Sequence, residues 1–166
     1  MKTLKTTLDF SKLMSLIIFA LVGLSCAGSQ HTVGLNDAAV PINTNEIIVQ
    51  TNLDAESAYK KVAKALQDFG YTFRSTDETL KNISTEFKGV SQRWGVDNTF
   101  VRIAAYVKGE KNAEIVIRGW YKTLENENTE TGQTVKKFGQ NGSPTRNAWI
   151  EMFKVAESLG GTLSYK

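Results

Sequence analysis

Apolar residues recur with two different periods along this chain, and the periods separate predicted helices from predicted strands. Steps of three and four residues run over residues 55–69 and 149–159, which is typical of helices that bury one face. Gly70 follows the first segment, in the place of a glycine that ends a helix. Ser143 and Pro144 precede the second segment, as an N-cap and a first helical residue. The pattern therefore predicts two amphipathic helices.

Five shorter segments alternate between apolar and polar residues, as half-buried strands do. The predicted strands cover residues 47–49, 71–75, 83–87, 100–108 and 113–121. The last two are long, and a turn that begins at Gly109 joins them as a hairpin. Residues 122–142 follow, rich in Asn, Glu, Thr and Gly, and we predict a mobile loop or flap there.

The order of these elements is strand, helix, four strands, helix. Each element has one apolar face, and a single antiparallel sheet with both helices packed on one side buries all of these faces together. The sequence therefore predicts a two-layer α+β domain over residues 46–166, with about five strands in its sheet. A domain of this length can build a hydrophobic core of its own.

The N-terminus has the three parts of a bacterial export signal. Lys2 and Lys5 supply positive charge, residues 13–24 form an apolar run, and small residues follow. The run has 12 residues, whereas a helix that stays in the bilayer needs roughly 20. Residues 1–25 are therefore predicted to be a signal peptide that is removed after export.

The single cysteine of the chain, Cys26, directly follows the predicted signal, where bacterial lipoproteins carry the residue that receives the lipid. Leu24 and Ser25 fit the motif before such a cysteine, although Gly23 stands where leucine is usual. We therefore predict that Cys26 is lipidated, and two or three acyl chains anchor a protein stably to a membrane. The alternative is ordinary signal cleavage, which would release a soluble periplasmic protein.

Residues 26–45 are predicted to comprise the lipidated cysteine and a flexible tether, because they are small and polar and lack a sustained period. Ala27 stands where some lipoproteins carry the aspartate that retains them at the inner membrane. Its presence favours an anchor in the outer membrane, with the domain facing the periplasm.

The net charge argues against a nucleic-acid partner. The full chain carries +3, and residues 1–25 contribute three lysines against one aspartate, which leaves about +1 for the rest. A near-neutral domain lacks the basic surface that nucleic-acid binding requires. The expected partners are therefore the membrane, through the anchor, and another envelope protein.

Part of the predicted domain resembles the helix-grip domains of bacterial envelope lipoproteins. Residues 54–59 open the first helix, residues 69–73 follow it with a glycine and a strand, and Asp77 leads through a turn to residues 83–85. This order is similar to the domain type of the C lipoprotein of the outer-membrane β-barrel assembly machinery, over residues 46–87. The resemblance implies a scaffold or accessory role in the envelope, and it transfers no functional residue.

The sequence offers few groups for catalysis. The single histidine, His31, lies in the predicted tether, so the domain has no Ser–His or Cys–His pair. With Cys26 lipidated the domain has no thiol, and the acidic groups at Asp77, Glu78 and residues 125–130 fall in predicted turns or loops. The sequence therefore predicts a protein that is not an enzyme and that holds neither a metal nor another cofactor.

The hairpin residues that alternate away from the predicted core are mostly aromatic or cationic. They are Phe100, Arg102 and Tyr106 in one strand and Val116, Arg118 and Trp120 in the other. Arg93 and Trp94 add the same residue types in the loop before the hairpin. Because interfaces are enriched in aromatic residues and arginine, this set is a candidate partner-binding face. The alternatives are that cross-strand pairs only stabilise an exposed sheet, and that Trp94 folds back onto the core.

Two functions remain open at this point. In the first, the protein is a non-catalytic, lipid-anchored envelope protein that acts as an interaction or structural module. In the second, it binds a lipid, a glycan or another small apolar ligand between helix and sheet, in a cavity bounded by Tyr59, Val62, Ile117 and Trp149. Residues 122–142 would then gate that cavity.

Overall fold

A computed structural model describes residues 40–93, 96–126, 131–138 and 142–166, which all belong to one unit of the chain. For residues 91–93, 96, 97 and 126 it describes the backbone alone. The predicted signal peptide, Cys26 and the first part of the predicted tether lie outside the described residues. None of the described helices is both long and apolar enough to cross a membrane.

Within the described residues, eight strands form one antiparallel sheet. They are β1 (Glu46–Gln50), β2 (Phe73–Asp77), β3 (Asn82–Thr85), β4 (Lys88–Arg93), β5 (Val96–Lys108), β6 (Glu114–Thr123), β7 (Gln133–Thr134) and β8 (Thr162–Tyr165). Their order across the sheet is β2-β3-β5-β6-β1-β8, with β4 also paired to β5 and β7 also paired to β6. The predicted α+β class with one antiparallel sheet is confirmed, whereas the prediction of about five strands is too low.

The three additional strands are short or polar, which explains why the sequence does not mark them. β4 contains a glycine and mostly polar residues, β7 has only two residues, and β8 directly follows the glycines that end the second helix. None of them shows an apolar alternation of sufficient length. Each is defined by its hydrogen bonds to a neighbouring strand. Their presence therefore depends on partners that are distant in sequence.

β5 and β6 form the central hairpin that the alternation predicts. Their pairing extends from Thr99 and Thr123 to Lys108 and Glu114, and Gly109 has a positive φ of 84° at the turn. Along the other edge of β5, β4 pairs with the first half and β3 with the second half. The other edge of β6 is shared in the same way by β1 and β7. Short strands on both sides thus widen the hairpin into a sheet.

Both predicted helices are present, and Ser143, Pro144 and Gly70 lie at their predicted ends. The first, α1 (Ala55–Asp68), begins after Asp54, whose carboxylate accepts a hydrogen bond from an amide of the first turn at 2.8 Å. The second, α2 (Pro144–Ser158), begins after Ser143, whose hydroxyl accepts a similar bond at 3.3 Å. Gly70 follows the C-cap of α1 with a positive φ of 76°, the conformation in which a glycine ends a helix.

The core lies between the sheet and the helices, which pack against the strands and against each other. The inward side chains of the hairpin are buried, and five of them are at most 1% exposed, namely Val101, Ile103, Ala105, Ile115 and Ile117. α2 approaches β6 closely at Gly119, where a Cβ atom would lie 3.1 Å from the sulfur of Met152. The apolar alternation of the hairpin therefore forms the predicted core.

The segment predicted to be a mobile loop or flap contains parts that complete the sheet. Leu124–Asn126 forms a 3-10 helix, and Val135 is fully buried, with its amide donating to a carbonyl of β6 at 2.8 Å. The amide of Lys137 donates to the carbonyl of Thr44 at 2.7 Å. The prediction of a flap is therefore wrong for residues 131–138, because backbone hydrogen bonds and a buried side chain hold them against the sheet.

The last residues assigned to the tether also pack against the domain. Val40 and Thr44 are each 4% exposed. The amides of Asn45 and Glu46 donate to the carbonyl of Lys166 at 2.8 and 3.0 Å, which ties this segment to the strand at the end of the sheet. The folded domain therefore begins no later than Val40, before the boundary at Glu46 that the sequence predicts.

Candidate functional site

The face of the sheet opposite to the helices, which we call the open face, carries the hairpin residues that were predicted to bind a partner. These six residues are Phe100, Arg102, Tyr106, Val116, Arg118 and Trp120. Arg102 pairs across the strands with Trp120, and Tyr106 pairs with Val116. Five of the six side chains are at least partly exposed. The strand alternation therefore predicts correctly which residues share this face.

Val116 differs from the other five, because it is only 3% exposed. It lies in register between Tyr106 of β5 and Ile48 of β1, and Ile48 is itself 4% exposed. Val116 and Ile48 are therefore two adjacent buried residues within the open face. Val116 therefore packs within the open face and is not available to a partner, which corrects its assignment as a binding residue.

The guanidinium of Arg102 lies between two aromatic rings. Its central carbon is 4.9 Å from the ring centre of Phe87 and 5.0 Å from that of Trp120, which are distances of cation–π contact. One of its terminal nitrogens, Nη2, donates to the carbonyl of Thr131 at 3.2 Å. These contacts fix the plane of the guanidinium. Phe87 and Thr131 do not belong to the predicted set, because both lie outside the hairpin.

The surroundings of Arg102 disfavour its positive charge. Partial burial lowers the pKa of its guanidinium, the nearby Arg74 lowers it further, and Glu86 acts in the opposite direction. The Nε atom of Arg102 is buried and has no hydrogen-bond partner among the described residues. A second positive charge beside a partly buried guanidinium is unfavourable unless an anion approaches both.

A groove of about 440 Å³ opens beside Arg102 on the open face. Its lining side chains include Arg74 and Ser75 of β2, Asn82 and Ser84 of β3, and Tyr106 and Trp120 of the hairpin. Ala104 also lines it, between Arg102 and Tyr106 along β5, and the small side chain leaves space between these two larger ones. Small-molecule sites usually have volumes of roughly 300–1,000 Å³. The groove is therefore large enough for a small ligand or for one protruding group of a larger partner.

Arg118, the other arginine of the hairpin, is already neutralised. Its Nε donates to a carboxylate oxygen of Glu46 at 2.8 Å. Its guanidinium carbon lies 5.9 Å from the ring centre of Tyr106. Arg118 is not among the residues that line the groove. The two arginines of the hairpin therefore differ, since Arg118 is paired with a carboxylate and Arg102 is held by aromatic rings and a carbonyl.

The remaining two candidate residues precede the hairpin. Arg93 is the last residue of β4, where its backbone pairs with Val96, and its side chain is not described. Trp94 lies outside the described residues. The contribution of this segment to a binding face therefore stays a prediction.

The space between helix and sheet is filled at the position where the sequence suggested a ligand cavity. Tyr59 is 6% exposed, Val62 is 1% exposed, and Ile117 and Trp149 are fully buried. None of these four residues lines the groove beside Arg102 or either of two further surface grooves near β7 and the start of α2. These side chains therefore act as core residues, and no observation on the described chain favours a ligand among them.

A partly buried polar cluster joins β4 to the helices, away from the groove. The Nζ atom of Lys88 lies 3.1 Å from a carboxylate oxygen of Glu151 and 4.8 Å from the ring centre of Tyr71. Burial raises the pKa of the Tyr71 hydroxyl, and the negative charge of Glu151 adds to this effect. That hydroxyl has no hydrogen-bond partner among the described residues.

The described residues also contain no group of three or more His, Cys, Asp or Glu side chains that could hold a metal ion.

Comparison with known proteins yields little. No protein-family model and no curated protein matches this chain. One solved structure that aligns with it is a DUF4468 family protein from Bacteroides ovatus ATCC 8483, with a TM-score of 0.35 and 12% sequence identity. The alignment covers 72% of this chain and 86% of that chain. A likeness at this level carries no argument about function.

Proposed function

We propose that this protein is a non-catalytic, lipid-anchored module of the bacterial cell envelope that binds a partner on the open face of its sheet. The observation that carries the proposal is the groove beside Arg102, which lies on the side without helices. Tyrosine, tryptophan and arginine supply most of the binding energy in many interfaces, and all three types line this groove. The role is that of an interaction or accessory protein.

The arrangement of Arg102 also supports a binding role. Its guanidinium is held by Phe87, Trp120 and the carbonyl of Thr131 before any partner arrives. A side chain that is already ordered loses less conformational entropy on binding, which favours affinity. The open face therefore presents fixed donors and rings to a partner.

The proposed location follows from the N-terminal sequence. Lipid on Cys26 would anchor the protein in the outer membrane, with its domain in the periplasm. A partner is then expected among the components of the envelope. Without lipid on Cys26, the same domain would be a soluble periplasmic protein.

The docking proposal is tested by placing a negative charge on the open face. The protein is purified from its own envelope after mild cross-linking, as wild type and as Tyr106→Glu and Trp120→Glu. We expect both variants to lose the cross-linked partner while circular dichroism shows that the fold survives. Gln67→Glu is the matched control, because it adds the same charge on an exposed position of α1. Retention of the partner in both open-face variants would contradict the proposal.

The anchor is tested by the intact mass of the N-terminal peptide of the natively expressed protein. We expect the peptide to carry the added mass of a diacylglyceryl group and an amide-linked acyl chain on Cys26. In cell fractionation, the Cys26→Ser variant is expected to leave the membrane fraction, in which the wild type remains. An unmodified peptide that begins near Cys26 would show that the protein is secreted in soluble form.

A further inference from the structure

The charged residues that line the groove beside Arg102 are all positive. Arg74 and Arg102 both line it, and none of its lining residues is acidic. Arg74 is exposed on β2 and makes no ion pair with a described carboxylate. Glu86 lies near enough to influence Arg102 but does not line the groove. Two arginines that converge on one concave space are suited to an anion, because guanidinium groups bind carboxylates and phosphates through paired N–H donors.

Arg102 keeps donors for such an anion. A guanidinium has five N–H donors, and in the described residues one hydrogen bond engages it, from Nη2 to the carbonyl of Thr131. The rings of Phe87 and Trp120 hold the group by cation–π contact, which uses none of its N–H donors, although the Nε donor is itself buried. The repulsion from Arg74 would be relieved when an anion lies between the two groups.

The rest of the groove is suited to hydroxyl groups. Ser75, Asn82 and Ser84 lie side by side on β2 and β3, and Tyr106 borders them on β5. Their hydroxyl and amide groups can both donate and accept hydrogen bonds. The floor is formed by β3, β5 and β6, whose backbone groups already pair within the sheet, and only β2, at the side of the groove, has an edge without a described strand beside it. A peptide that adds to a sheet needs a free strand edge, whereas a ligand in this groove is recognised by side chains.

We propose that the groove binds a saccharide that carries a phosphate or carboxylate group, with the anionic group between Arg74 and Arg102 and the hydroxyl groups along Ser75, Asn82 and Ser84. This inference rests on the proposed function, since it names the chemistry that the open face recognises. The volume of about 440 Å³ accommodates one or two sugar units rather than a long chain.

The test measures binding of defined probes to the protein purified with its native N-terminus. The probes are glucose 6-phosphate, glucuronate, glucose, inorganic phosphate and an acidic hexapeptide. The three tryptophans are labelled with fluorine, so that Trp120 can be observed directly by NMR after assignment with Trp120→Phe. We expect glucose 6-phosphate or glucuronate to shift the Trp120 signal at concentrations about tenfold lower than glucose or phosphate alone, because the charged and hydroxyl contacts add.

Variants separate a specific site from general attraction of anions. Arg74→Gln and Arg102→Gln are each expected to weaken binding of the acidic sugar about tenfold or more, because each variant loses a charge-assisted hydrogen bond to the anionic group. Ala104→Leu is expected to abolish binding by filling the groove. Lys60→Gln is the control, because it removes a positive charge on α1 that pairs with Glu56 and does not line the groove, and it should leave binding unchanged. Arg74 is exposed on β2, so its variant remains informative if Arg102→Gln folds poorly.

Several outcomes would overturn the inference. These are no shift of Trp120 with any acidic sugar, equal affinity for inorganic phosphate and sugar phosphate, or equal binding by Arg74→Gln and wild type. Binding of the acidic peptide and of none of the sugars would show that the groove recognises a protein partner and not a saccharide. If the acidic sugars fail to bind while Tyr106→Glu and Trp120→Glu still lose the envelope partner, the inference fails and the proposed function stands. If sugars bind while those variants keep the partner, the groove is a ligand site and the docking proposal fails.

Discussion

The same strands form both faces of the sheet, but the residues of the two faces follow from the sequence in different ways. The inner face is mainly aliphatic, and residues such as Val101, Ile103 and Ile115 are fully buried there. The open face is mixed, with half-exposed rings and arginines that contact one another. The inner face follows from the alternation within each strand, whereas the open face depends on which distant segments meet there. Substitutions on the two faces should therefore affect different properties.

The largest expected effect is loss of stability from truncation on the inner face. Ile103→Ala removes a fully buried side chain and should lower the free energy of unfolding by about 2–5 kcal/mol, because it leaves a cavity. Tyr106→Ala, on the open face of the same strand, should cost about 1 kcal/mol or less, the size of a cross-strand contact. Urea denaturation followed by circular dichroism measures both. Equal losses would remove the distinction between the faces.

A smaller effect is expected from Thr85, a polar residue on the inner face. Thr85 is fully buried, and its hydroxyl accepts a hydrogen bond from the amide of Ile103 at 3.0 Å. Along β5, Ile103 lies between the residues that pair with β3 and the residues that pair with β4. Thr85→Val would leave the amide of Ile103 unpaired and should cost about 1–3 kcal/mol.

Thr85→Ser is the control, because it retains the hydroxyl and should lose less stability than Thr85→Val. Hydrogen exchange adds a local measurement, since the amide of Ile103 should exchange faster in the valine variant alone. Equal exchange in the two variants would show that the Thr85 hydroxyl does not protect this amide.

The smallest effect at neutral pH is expected from Tyr71, whose buried hydroxyl has no partner among the described residues. Tyr71→Phe should be neutral, or stabilising by about 1 kcal/mol, because it removes a polar group that burial leaves unpaired. The contact of Lys88 with the ring can persist in the phenylalanine variant. A loss of several kcal/mol would show that the hydroxyl is satisfied.

The same substitution should change the alkaline pH dependence. Burial raises the pKa of Tyr71, so above about pH 10 the unfolded tyrosine ionises while the folded one keeps its proton. The unfolded state then binds fewer protons, and the stability of the wild type falls as pH rises. The fall should be shallower in Tyr71→Phe when unfolding is measured between pH 9 and about pH 11.

The sequence predicts the parts of this fold that depend on local patterns. Ser143 caps the second helix as expected, and the alternation from Val101 to Ile117 assigns the inner face correctly. β4, β7 and β8 escape prediction because hydrogen bonds to other strands define them.

The candidate site is predictable only in part, for the same reason. Arg102, Tyr106 and Trp120 are identified from their alternation. Phe87 contacts Arg102, and Arg74 lines the groove, only because strands outside the hairpin pair beside it. The spacing of these residues along the chain contains no signal for the contact. Val116 was misassigned because alternation gives the face of a residue and not its exposure on that face.

β8 has a consequence for the solubility of the protein. It covers one side of β1, whose three consecutive apolar residues, Ile47, Ile48 and Val49, would otherwise lie at the margin of the sheet. The chain can turn tightly into β8 because Gly161 has no Cβ atom. A Cβ atom at this position would collide with the carbonyl of Gln50. An uncovered apolar strand is a template on which identical chains assemble into aggregates. If the protein is anchored in a membrane, where copies meet at high local density, this short polar strand protects each copy against its neighbours.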